Sequence, residues 1–322
     1  MARTGVRELL GTLPRLVVCG GRLAGERALM KEVWGLSLAT LRWEAMPALL
    51  CARFGHACCT VRSALVVLGG TALGGGNNQR PSRTSQVEML LEGAGAFVEL
   101  PPLSCGAISD AAVVVVDEKD SVRGQVLLIG GSGNGGAVTS SVQLVDLATG
   151  VCTPQADLLH ARRCFAAARL LDGRIVCAGC RLAATTAAEM WGPPVQGAMD
   201  AAWTRRELPA MSVVRLGCGG CVLSDGRFAV FGGHLGDISN YVGTSSCEVL
   251  SFGADEHWTP LPPMHKMRVY FACAAVAECI IVAGGLGRTS AEVYDKAHGR
   301  WLRLRCNLPH NDGLYNAGSA LM

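Results

Sequence analysis

The segment Ile281-Val282-Ala283-Gly284-Gly285, with Glu292-Val293-Tyr294-Asp295, Trp301 and Leu308-Pro309 after it, decides how this chain folds. A short apolar run closed by a glycine doublet reads as a buried strand that leaves its sheet at a place where only glycine fits. A strand carrying an acid follows, then a tryptophan, then a proline turn. The same order recurs upstream. Doublets close apolar runs at Val17-Val18-Cys19-Gly20-Gly21, Val66-Val67-Leu68-Gly69-Gly70, Leu127-Leu128-Ile129-Gly130-Gly131 and Ala229-Val230-Phe231-Gly232-Gly233. A decayed copy, Ile175-Val176-Cys177-Ala178-Gly179-Cys180, fills the remaining gap. Between first glycines the steps are 49, 61, 49, 53 and 52 residues. A period of this size marks a chain built from stacked supersecondary units.

Composition agrees. The 322 residues include 41 glycines, are 50% hydrophobic and only 17% charged, with a mean hydropathy of +0.30. Short buried strands joined by glycine turns give such values; a solvated helical protein or a disordered chain does not. No uninterrupted apolar run comes near the length of a membrane-spanning helix, so no membrane partner is expected. A net charge of +3 gives no footprint for nucleic acid. Only Lys31, Lys119, Lys266 and Lys296 are lysines, so 25 of the 29 cations are arginines, the side chain suited to bidentate recognition of carboxylate or phosphate. The odd count of 15 cysteines, most of them inside apolar strands, argues against a disulfide framework and for a reducing compartment, cytoplasmic or nuclear.

The doublet is usually followed by an acid-bearing strand (Glu88-Met89, Glu189-Met190, Glu248-Val249, Glu292-Val293), a large apolar residue (Trp43, Phe97, Trp203, Trp258, Trp301) and a proline turn (Met46-Pro47, Leu100-Pro101, Leu208-Pro209, Leu261-Pro262, Leu308-Pro309). This order resembles the kelch repeat, whose four antiparallel strands form one blade of a β-propeller. The resemblance implies an all-β, six-bladed kelch-type propeller over residues 13–322, after an extension at 1–12. Blades would end near 46, 100, 153, 208, 261 and 308. Residues 309–322, glycine- and alanine-rich, would supply the inner strand of the first blade, so that pairing of the C-terminal strand closes the ring and removes two open sheet edges.

Function is expected on the face where the doublets end and the inner strands begin, since adjacent strands are antiparallel. Aligned on the doublets, Arg53, Arg163 and Arg268 each stand 16 residues before the first glycine, and Arg215 stands 17 before it. Arg22, Arg181 and His234 directly follow doublets. These residues would gather at the mouth of the central channel. In kelch-like substrate adaptors of ubiquitin ligases, arginines that open inner strands bind acidic peptides, so the resemblance implies a non-catalytic protein-interaction module, a scaffold or substrate recruiter, for a peptide or protein partner with an acidic or phosphorylated motif. The segment before residue 13 leaves no room for the dimerisation and cullin-binding parts of such adaptors, so ubiquitin-ligase or cytoskeletal assembly would go through separate subunits. The competing role for the same arginines is structural, bonding carbonyls between blades. The long connections at Thr71–Gln86 and His234–Gly243 lie on the same face.

Other chemistry is less well supported. Cys177-Ala-Gly-Cys180 and Cys218-Gly-Gly-Cys221 have zinc-like spacing but sit in strand register, which sends Cys218 and Cys221 to opposite faces, so no metal is expected. No phosphate loop or catalytic triad pattern is present and no cofactor is expected. The alternative function is a channel-site enzyme resembling a sugar mutarotase and acting on an anionic sugar, for which His56, Glu278 and Arg268 are the available acid, base and anchor.

Overall fold

The computed structural model describes residues 14–25, 28–73, 80–117, 123–179, 186–192, 204–236, 242–310 and 312–322. Within them the chain forms six four-stranded antiparallel sheets, the blades. From inner to outer strand, blade 2 is Ala57–Val61, Ala64–Leu68, Val87–Leu90 and Val98–Leu100; blade 3 is Ala112–Asp117, Gln125–Ile129, Val142–Asp146 and Cys152–Pro154. Blade 4 is Ala166–Arg169, Ile175–Ala178, Ala188–Gly192 and Thr204–Leu208; blade 5 is Gly219–Val222, Phe228–Phe231, Cys247–Ser251 and His257–Leu261; blade 6 is Ala272–Val276, Cys279–Ala283, Ala291–Asp295 and Arg300–Arg303. Blade 1 is composite: Arg15–Cys19, Val33–Ser37 and Arg42–Met46 come from the start of the chain, and its inner strand is Gly318–Leu321. That inner strand pairs with Arg15–Cys19 in the register Cys19↔Gly318 to Leu16↔Leu321.

Alternation along the second strands explains the apolar runs. Leu16 and Val18 pack toward blade 6, while Val17 and Cys19 pack toward blade 2. Leu65 and Val67 answer from blade 2, whose Val66 and Leu68 face blade 3 instead. Six such apolar clusters, one between each pair of neighbouring blades, run round the axis and return to the first. Each blade is therefore buried on both faces, which a strand can satisfy only with a continuous apolar sequence. The rim is pinned by tryptophans: Trp258 Nε1 donates to the Pro209 carbonyl at 2.7 Å and Trp301 Nε1 to Pro262 at 2.8 Å, each reaching the proline turn of the blade before it. No helix among the described residues is long and apolar enough to cross a membrane.

Candidate functional site

The inner strands surround a central channel of about 270 Å³, lined among others by His56, Cys58, Cys164, Cys218, Tyr270 and Asn316. At its mouth one residue per blade adopts left-handed backbone: Gly55, Asp110, Cys164, Gly217, Tyr270 and Asn316, with φ between 52° and 63°. The N–H of each donates to the carbonyl of the one before: Asp110 to Gly55 at 2.6 Å, Cys164 to Asp110 at 3.0 Å, Gly217 to Cys164 at 2.8 Å, Tyr270 to Gly217 at 2.8 Å, Asn316 to Tyr270 at 3.0 Å and Gly55 to Asn316 at 2.9 Å. Backbone in this region costs a non-glycine residue roughly 1–2 kcal/mol, and the closed circle of bonds offsets it. Two members must be glycine. A Cβ on Gly55 would lie 2.6 Å from Asp110 Oδ1, and one on Gly217 would lie 2.7 Å from the Tyr270 ring.

Two residues before this circle stands the arginine position. Arg53, Arg162, Arg215 and Arg268 occupy it in blades 2, 4, 5 and 6, and all four are fully or almost fully buried. Arg268 donates to the Gly284 and Ser290 carbonyls at 2.7 Å each and to Glu292 Oε1 at 2.8 Å. Arg215 repeats this with Gly232, Ser246 and Glu248, Arg162 with Gly179, Ala187 and Glu189, and Arg53 with Gly69, Gln86 and Glu88. The second carboxylate oxygen accepts a backbone N–H, from Leu50, Leu159, Ser212 or His265. Burial pushes the Glu292 carboxyl up, but its bonds to Arg268 and His265 outweigh burial and hold it below the usual range. Blade 3 has Ile108 and Gln143 at these places, and blade 1 has Leu314 and Trp34. Arginine and glutamate are thus present together or absent together.

The sequence-predicted residues therefore divide. Arg53, Arg215 and Arg268 do not reach the channel mouth; they are internal fasteners between the glycine doublet and the third strand. Arg163 is not their equivalent, because the true member of that register is its neighbour Arg162. His234 is also buried, with Nδ1 at 3.1 Å from the Gly236 carbonyl. Arg181 and Cys180 lie outside the described residues, as do 74–79 and 237–241 of the long connections and residues 118–122. Cys218 packs between blades 4 and 5, and Cys221 between blades 5 and 6. Among the described residues no three His, Cys, Asp or Glu side chains form a group that could hold a metal. The three residues available for sugar chemistry stay apart: His56 lines the channel, Arg268 is paired with Glu292, and Glu278 is exposed in the hairpin turn beside Lys296.

What stands at the mouth is Arg22 and Arg163 from the expected set, joined by Arg83, which the sequence did not single out. Ser109 and Ser132 exchange backbone bonds, 3.0 Å and 2.7 Å, immediately beside Asp110. Half-buried Arg83 donates Nε to Ser109 Oγ at 3.0 Å, and half-buried Arg163 donates Nη1 to Ser132 Oγ at 3.1 Å. Among the described residues neither guanidinium has a carboxylate at ion-pair distance, and Arg163 Nε is buried with no partner. Asp110 adjoins them, its Oδ2 accepting from Ser109 Oγ at 3.1 Å. Arg22 sits over the Phe54 ring at 4.8 Å, again with Nε unpartnered. Arg83 carried no signal in the repeat alignment, since it comes from Pro81–Arg83, a short strand that pairs with Thr71–Leu73 outside the blade.

No family model matches the chain. It is similar to human Kelch-like protein 34, 27% identical over 306 residues, which cover 87% of this chain and 43% of that protein. It is also similar to human Kelch-like protein 25, 33% identical over 131 residues, 40% of this chain and 21% of that protein. The chain spans less than half the length of either relative. Repeat order and six four-stranded sheets make this a six-bladed β-propeller, and along most of its length its sequence is similar to Kelch-like protein 34.

Proposed function

We propose that the chain is a non-catalytic interaction module that takes an acidic or phosphorylated segment of a protein partner at the channel mouth. The observation that carries this reading is the pair Arg83 and Arg163. Each is half-buried, held in place by a serine hydroxyl, and left with guanidinium N–H groups that no carboxylate among the described residues uses. Guanidinium forks fixed in this way suit carboxylate or phosphate oxygens, and little side-chain entropy is lost on binding. Arg22 would extend the same face toward blade 1. The partner enters from outside the chain, and recruitment of that partner to a larger assembly would use other subunits or other parts of the protein.

An array of acidic, phosphoserine-containing and neutral peptides, probed with the wild type and with Arg83→Ala/Arg163→Ala, tests this. The wild type should select acidic or phosphorylated members, weakening as salt is raised, and the double variant should lose them by at least about tenfold while melting as the wild type does. Equal capture of neutral peptides, or an unchanged selection by the folded double variant, refutes the reading.

A further inference from the structure

The seam between blades 1 and 2 brings three reactive groups together. Cys19 ends the second strand of blade 1, and its cross-strand partner Gly318 lies on the closing strand. Gly318 has no side chain, and the space a Cβ would fill there is taken from blade 2: it would lie 2.5 Å from His56 Nε2 and 2.7 Å from Cys58 Cβ. Both reach past the closing strand to the same sulfur. Cys19 Sγ is 3.5 Å from Cys58 Sγ and 3.4 Å from His56 Nε2. The Gly318 N–H donates to that same Nε2 at 3.1 Å, which identifies Nε2 as the ring nitrogen with the free electron pair and hence the base facing the Cys19 thiol. His56 Nδ1 is buried with no partner. His56 and Cys58 line the central channel, so a molecule the size of water has a route to the pair.

We propose that Cys19 and Cys58 are a peroxide-sensitive dithiol, with His56 as its proton acceptor, that closes into a disulfide across the seam. The pair releases one proton to His56 Nε2. The negative charge rests on the Cys19 sulfur, which accepts the Cys58 S–H across the 3.5 Å contact; passing that proton to Cys19 puts the charge on Cys58, the sulfur that lines the channel. The hydrogen bond from Cys58, with the charges of His56 and Arg53, holds the Cys19 thiol down at about 6 against the opposing effect of burial, and the same hydrogen bond holds the Cys58 thiol above its ordinary value. The Cys58 sulfur attacks one oxygen of hydrogen peroxide, the O–O bond breaks, and the departing hydroxide takes the proton from His56 and leaves as water. Cys58 is then a sulfenic acid. The Cys19 sulfur attacks Cys58 Sγ, the S–O bond breaks, and the second hydroxide leaves as water with the Cys19 proton, relayed by His56. Two thiols and one peroxide become one disulfide and two waters. The sulfurs must approach from 3.5 Å to about 2.05 Å, the length of the bond. The link joins the N-terminal strand of blade 1 to the inner strand of blade 2, with the C-terminal closing strand held between them.

The test is a titration of the purified chain with hydrogen peroxide, followed by alkylation of remaining thiols and peptide mass spectrometry. The wild type should yield a Cys19–Cys58 cross-linked peptide with a rise in melting temperature, and neither Cys19→Ala nor Cys58→Ala should yield it. Cys19→Ala should instead leave Cys58 as a sulfenic acid that dimedone captures. His56→Asn, which can still accept the Gly318 N–H, should form the cross-link at least about tenfold more slowly below pH 7 and approach the wild-type rate as pH rises and the pair ionises unaided. Folded wild type that forms no Cys19–Cys58 link, or a His56→Asn variant with the wild-type rate at every pH, overturns the proposal.

Discussion

The N–H of Gly55 donates to the carbonyl of Asn316 at 2.9 Å, joining the entry to blade 2 to the last residues of the chain. This bond completes a circle in which every blade passes one backbone bond to the next. The strands Arg15–Cys19 and Gly318–Leu321 meet inside one sheet, so the described residues close the ring by ordinary strand pairing and leave no open edge between first and last blades. The closing strand is held further by Thr60 Oγ1, which donates to the Leu321 carbonyl from blade 2.

Removal of Tyr315–Met322 takes away both the inner strand of blade 1 and two bonds of the circle. It uncovers the apolar faces of blades 6 and 2 that Ala317 and Ala320 pack against. We expect the truncated chain to lose its cooperative thermal transition and to bind a dye for exposed apolar surface, measured by circular dichroism and fluorescence. A truncated chain that melts at the wild-type temperature contradicts the closure.

Gly217 tests the circle more locally. Its φ is +63° and a Cβ there would press on the Tyr270 ring at 2.7 Å, whereas Gly226 has φ +83° with nothing within 4 Å. Gly226→Ala should therefore cost only the backbone term, about 1–2 kcal/mol. Gly217→Ala should cost at least about 1 kcal/mol more, read from urea unfolding of the two variants. Equal losses would mean that Tyr270 moves aside freely.

Arg215 and Glu248 are both buried, at 0% and 3% side-chain exposure. Arg215→Ile alone leaves a buried carboxylate without its cation, and we expect a loss of about 3–5 kcal/mol. The combination Arg215→Ile/Glu248→Gln copies what blade 3 carries at Ile108 and Gln143. It keeps an oxygen for the Ser212 N–H and should recover at least about 2 kcal/mol of that loss in a double-mutant cycle. Additive losses would show that the two side chains act separately.

These residues also show where sequence reading reached its limit. The doublets, acid-bearing strands and tryptophans recur because each is required by a local constraint: left-handed backbone, a carboxylate for the arginine, a ring spanning to the previous turn. The arginine register slipped by one in blade 4 because the hairpin between inner and second strands spans Leu170–Arg174 in blade 4 and Leu223–Arg227 in blade 5, against two-residue turns at Arg62-Ser63 and Ala277-Glu278. Counting from the doublet therefore landed on Arg163, whose side chain points the other way. Pairing each arginine with its glutamate corrects this, since the two blades without the arginine, with Ile108 and Leu314 in its place, also lack the glutamate, carrying Gln143 and Trp34. Arg83 was beyond reach, because a contact made by a loop outside the repeat leaves no period to align.

Arg206 and Glu256 join the outer strand of blade 4 to the turn before the outer strand of blade 5, with bonds of 2.7 Å and 2.5 Å to the two carboxylate oxygens. The hydrogen bonds from Arg206 hold the Glu256 carboxyl below its ordinary value. A carboxylate depressed in the folded state stabilises it above the unfolded pKa, and that contribution disappears as pH falls through the folded value. The pair is at the surface, Arg206 being 47% exposed, so solvent limits its worth to about 0.5–1 kcal/mol. Glu256→Gln should lower stability by that amount at pH 7 and by nothing measurable at a pH below the folded value, where the wild-type carboxyl is itself neutral. The same comparison in 1 M salt should shrink the difference at pH 7. A loss of equal size at both pH values would assign the contact to packing of the Arg206 stem rather than to charge.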